Sequence, residues 1–77
     1  MNIDHLVRMA NDIGDFFAAE PSGEEGAVAV RDHIKRFWDP RMRRQIIDHF
    51  ETGGAGLDEP ARSAVGLLAT ERKDVPG

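Results

Sequence analysis

Apolar side chains at Ile3, Leu6, Val7, Ala10, Ile13 and Phe17 recur at spacings of three and four, the stripe of an amphipathic helix and not the alternation of a strand. The spacing predicts a first helix over about residues 3–19. Asn2 or Asp4 can cap its start, and Glu20-Pro21 ends it because proline disfavours a helical residue before it. Ser22 followed by Glu25 is a capping box, in which hydroxyl and carboxylate each satisfy a free backbone N–H, so a second helix starts there. Its inward positions are Ala27, Val30, Ile34 and Phe37, with Trp38 at the margin, leaving Arg31, Lys35 and Arg36 towards solvent or a partner.

Asp39-Pro40 reads as an N-cap followed by proline at the first helical position, where the missing N–H does no harm. A third helix therefore runs from Pro40 to about Glu51, with Met42, Ile46, Ile47 and Phe50 as its apolar set. Gly53-Gly54-Ala55-Gly56 ends it in a sharp, flexible turn, since glycine enters the left-handed region without a Cβ clash. Asp58 can cap a short fourth helix with Ala61, Ala64, Val65 and Leu68 on one face. Beyond Thr70 almost nothing can be buried. The expectation is an all-α fold, a small bundle of three main helices plus a short C-terminal one, forming a single domain over residues 1–70 with a disordered tail at 71–77.

At 77 residues the chain is one domain at most, and so small a core leaves a thin margin of stability that favours life in a complex. Absence of cysteine excludes a disulfide framework, thiolate metal sites, iron–sulfur ligation and a Cys nucleophile. It suits a reducing cytoplasm. No basic segment leads into an apolar run at the N-terminus, and no stretch is apolar enough to cross a bilayer, so the expectation is a soluble chain with no membrane partner. The formal charge is -4, but it is unevenly placed. Arg31, Lys35, Arg36, Arg41, Arg43 and Arg44 cluster in the middle, whereas the first 25 residues are strongly acidic. The two regions could attract one another or meet complementary patches on a partner.

Catalytic chemistry finds little purchase. His5, His33 and His49 are too far apart in sequence to form a local zinc motif; they read as surface or boundary residues, His33 and His49 as hydrogen-bonding groups at a helix or subunit contact. Ser22 is accounted for as a cap, and no base or orienting carboxylate is placed beside it or Ser63. The glycine run lacks the lysine of a phosphate loop and the strand that precedes a dinucleotide turn. No catalytic residue, no metal ligand and no cofactor of the chain's own is expected.

The informative constellation is His33-Ile34-Lys35-Arg36-Phe37-Trp38-Asp39-Pro40-Arg41-Met42-Arg43. Adjacent residues on a helix point about 100° apart, so Phe37 and Trp38 cannot both point squarely into so small an interior. An exposed Trp ringed by Arg is what binding hot spots favour, which makes Arg36, Phe37, Trp38, Asp39, Arg41 and Arg43 the candidate partner-binding set, centred on Trp38. Arg41 and Arg43 fall in the first turn of the third helix, where the helix dipole disfavours cations. An anion on a partner could offset that cost. Equally, both rings could close the bundle and the arginines form a solvated face. Six cations could also neutralise nucleic-acid phosphates, a reading that the acidic remainder of the chain opposes.

Three runs resemble the delta-subunit family of cytoplasmic NAD-dependent, molybdenum-containing formate dehydrogenases. They are Leu6 to Phe17, then His33 to Arg43, then Gly53-Gly54-Ala55-Gly56-Leu57, in order across about residues 3–68. Phe37-Trp38-Asp39-Pro40-Arg41-Met42 is the most specific of them, with Met9-Ala10-Asn11 in support; Ala61-Arg62 depart from the bulkier apolar residues expected after Pro60. The resemblance implies a polypeptide that accompanies a formate-oxidising, NAD-reducing enzyme whose molybdenum cofactor, iron–sulfur clusters and flavin belong to other subunits. It implies a non-catalytic partner of the catalytic subunit that supports its assembly, stability or cofactor loading. A constitutive subunit, a dissociable maturation chaperone of the apo-enzyme and a small helical nucleic-acid-binding module are the readings carried forward.

Overall fold

The computed structural model describes residues 2–17 and 23–74, and over these the chain forms four helices and no strand. They are α1 Ile3–Phe17, α2 Gly23–Phe37, α3 Pro40–Glu51 and α4 Glu59–Asp74. Asn2, not Asp4, caps α1: its Oδ1 accepts from the Asp4 N–H at 2.8 Å, and its carbonyl accepts from His5 and Leu6. Asp4 then sits in the first turn, where a carboxylate favours the helix dipole. Positions 18–19 of the expected first helix, the Glu20-Pro21 stop and Ser22 of the capping box lie outside the described residues.

The apolar stripes meet in one core. Leu6 and Ala10 of α1, Val30 and Ile34 of α2, Ile46 of α3, and Ala61, Ala64 and Val65 of α4 are fully buried, with Trp38, Ile47, Leu57, Leu68 and Ala69 nearly so. Met42 and Phe50 pack against this cluster from α3, as their spacing predicts.

The fourth helix is not short. It has 16 residues, the longest of the four; like α1 it packs against all three other helices, and its contact with α2 is the most extensive in the bundle. Ala61, Ala64, Val65 and Leu68 form its buried face, as their spacing predicts, and small side chains are what allow helix backbones to come close. At Gly14 of α1 a Cβ would stand 3.3 Å from the Ala61 backbone nitrogen and from Pro60 Cβ. On α4, Gly66 leaves room for the Phe50 ring, whose Cζ would lie 3.3 Å from an added Cβ. The helix continues past the expected end at Thr70 to Asp74. Glu71 finds partners there, 3.0 Å from Lys35 Nζ and 3.6 Å from Arg31 Nη1 on α2. The basic cluster is thus drawn on by α4, while Asp4, Asp12 and Asp15 of α1 stay exposed.

The glycine turn is tied down on both sides. Gly53, Gly54 and Gly56 all have positive φ, the conformation that glycine takes without a steric penalty. Arg62 donates to the carbonyls of Gly53 and Gly54, and His49 Nε2 lies 2.8 Å from the Ala55 carbonyl. Asn11 grips the far end: its Nδ2 donates to Gly56 O at 2.8 Å and its Oδ1 accepts from the Asp58 N–H at 2.8 Å. Leu57 is pressed into the core between these bonds.

Candidate partner interface

The corner between α2 and α3 resolves the aromatic pair, and in the opposite sense to the expectation. Trp38 follows the last residue of α2, yet its N–H still donates to Ile34 O at 2.9 Å. Val30, Ile34 and Trp38 therefore continue one stripe at spacings of four, and Trp38 is buried at 4% exposure. Phe37, expected inward, points out at 68% exposure. Trp38 is core, so it cannot be the exposed centre of a binding surface.

Asp39 is the cap that its sequence suggests. With φ -75° and ψ 165°, it accepts from the Met42 N–H at 3.0 Å, and Pro40 occupies the first turn. Arg43 has a partner inside the molecule: its guanidinium donates to the carbonyls of Trp38 and Lys35, at the C-terminal end of α2. A cation near the start of α3 is thereby stabilised by the negative end of α2, with no external anion needed. Trp38, Asp39 and Arg43 build the corner. Arg36, Phe37 and Arg41 face outward, and the two arginines form no hydrogen bond or ion pair with the described residues.

Phe37 heads a row of rings. It lies 4.7 Å from His33, which lies 6.2 Å from Phe17 on α1, which in turn meets Phe16 edge-on at 5.0 Å. Phe16 is 76% exposed, and it and Phe37 are the exposed large hydrophobics among the described residues. The sequence reading passed over Phe16. Its signal was there, since it is the aromatic residue that falls off the α1 stripe. His33 is thus a ring in the row, while His49 holds the glycine turn and His5 is exposed.

Among the described residues no three of His, Asp and Glu are grouped to hold a metal ion, and no helix is long and apolar enough to cross a membrane. Asn11 and the corner account physically for the Met9-Ala10-Asn11 and Phe37-to-Met42 elements: one latches the turn to α1, the other joins α2 to α3.

The molecule is a small all-α chain whose distinctive surface feature is an aromatic row with two arginines that are unpaired among the described residues. It belongs to the NADH-dependent formate dehydrogenase delta subunit family, FdsD, whose family model matches residues 5–65. No curated protein and no solved structure matches the chain.

Proposed function

We propose that this chain is a non-catalytic accessory subunit that binds the catalytic subunit of formate dehydrogenase and supports its assembly, stability or cofactor loading. The observation that carries this reading is the exposed row ending at Phe16 and Phe37, on a chain of the delta-subunit family. Two phenyl rings left in water by a bundle this small mark a surface meant to be covered. Of the proposed partner-binding residues, Arg36, Phe37 and Arg41 remain available to a partner. Trp38, Asp39 and Arg43 act indirectly, by fixing the corner from which the others project.

The nucleic-acid alternative loses support from the same geometry. Arg31 and Lys35 are paired with Glu71 and Arg43 with backbone carbonyls, so half of the six clustered cations are already committed.

The test is deletion of the chain followed by assay of formate-dependent NAD reduction, with the molybdenum content of the purified catalytic subunit measured alongside. Activity and metal content should both fall, and re-expression should restore them. Quantifying the chain in the active complex separates a permanent subunit from a factor that leaves after maturation. A deletion strain with undiminished activity and metal content would remove the accessory role.

A further inference from the structure

Resting on that reading, we infer that the docking surface is the row Phe16, Phe17, His33 and Phe37 across the C-terminal ends of α1 and α2. Its occupant is an apolar groove on the catalytic subunit, lined with carboxylates where it faces Arg36 and Arg41 and with cations where it faces Asp12 and Asp15.

The two flanks of the row differ in sign. On α1, Asp12 lies one turn before Phe16 on the same face, and Asp15 adjoins it; both are exposed. On α2, Arg36 lies three residues after His33, and Arg41 stands on the first turn of α3; both are exposed as well. None of these four forms an ion pair with the described residues. An apolar strip with an acidic flank and a basic flank specifies the direction in which a partner lies across it, because reversal sets like charges against each other. Two faces of this chain thus act as a register: the rings supply apolar contact and the flanks supply orientation.

Size argues for a larger partner over a second copy. Exposed to this degree, two phenyl rings present roughly 300 Å², against about 800 Å² per partner in a stable interface. Two copies meeting ring to ring would cover little more than the rings. A groove on a larger protein can take the rings and reach both charged flanks.

The full chain, tagged and expressed in the deletion strain, is compared as wild type, Phe16→Ser with Phe37→Ser, Arg36→Glu with Arg41→Glu, and, as the control, Ser63→Glu at an exposed position of α4. Catalytic subunit recovered with the tag should fall about tenfold or more for each double variant and stay at the wild-type level for the control, while tryptophan emission from buried Trp38 stays unchanged. If the double variants retain the catalytic subunit as wild type does, the assignment of this surface is overturned and the accessory role stands. If the wild-type chain retains neither the mature nor the cofactor-free catalytic subunit, the accessory reading fails and the surface assignment fails with it. An isolated chain that sediments as a dimer, and as a monomer once the phenylalanines are replaced, assigns the row to a second copy and overturns the proposal.

Discussion

Replacing Phe37 or Trp38 separates a ring that faces solvent from one that the fold depends on. Trp38 is 4% exposed and Phe37 68% exposed, although the two are neighbours in sequence. Truncating a buried Trp to Ala costs about 3–5 kcal/mol. A chain of 77 residues has about 4–12 kcal/mol of stability in all, so Trp38→Ala consumes a large share and, at the lower end of that range, leaves the protein near the edge of unfolding. Phe37→Ala gives up mainly its contact with His33 and should stay within about 0.5 kcal/mol of wild type. With a urea dependence of about 1 kcal/mol per molar, the midpoint should fall by about 3 M or more for Trp38→Ala and move by about 0.5 M at most for Phe37→Ala. Far-UV circular dichroism during urea titration measures both. Trp38→Phe serves as a milder second variant should Trp38→Ala fail to accumulate, and it should lie between the two. Trp38 is the single tryptophan and there is no tyrosine, so wild-type fluorescence also reports on this site and should shift to the red on unfolding. A mild Trp38→Ala together with a severe Phe37→Ala would refute the assignment of the two rings.

Asn11→Ala should lower stability by about 1–3 kcal/mol, because it removes hydrogen bonds to Gly56 O and from the Asp58 N–H; thermal unfolding of the variant measures the loss. Arg43→Ala should destabilise the fold by about 1–3 kcal/mol through the carbonyls of Lys35 and Trp38, with any loss of partner binding in proportion to unfolding, as urea titration and co-purification together would show. Gly54→Ala should cost about 1 kcal/mol or more in denaturant titration, since Gly54 has φ +64° and an added Cβ would stand 3.0 Å from Arg62 Nη1.

The phase of α1 and α3, and the start and stop of α3, were legible because each rests on local chemistry. The Asp39-Pro40 start of α3, the glycine stop after it and the inward positions of α1 and α3 all follow from residues within one or two turns of one another. The choice between Phe37 and Trp38 is not local. Ile34 lies three residues before one and four before the other, and both spacings fit a helical stripe; the decision falls to the corner, where the larger ring is the one taken into the core. The inward face of α4, Ala61, Ala64, Val65 and Leu68, was legible, but its length was not, because Glu71 in its last turns finds its partners Arg31 and Lys35 on α2, far away in sequence. Arg43 was readable as a cation in an unfavourable first turn, but its compensation comes from the end of α2, which only the fold brings near. Of the proposed interface, the sequence places Arg36, Phe37 and Arg41 in one segment. Phe16 joins them across a helix–helix contact.

The central claim, that this chain is held against the catalytic subunit by the Phe16–Phe37 row, is tested most directly by photocrosslinking in cells. A benzophenone amino acid is placed at position 16, 37 or 63, and the products are identified by mass spectrometry. Positions 16 and 37 should each yield an adduct with the catalytic subunit, mapping to an apolar segment flanked by charged residues, and position 63 should yield none. Adducts at 16 and 37 with other copies of the chain alone, or equal yields from all three positions, would contradict the account.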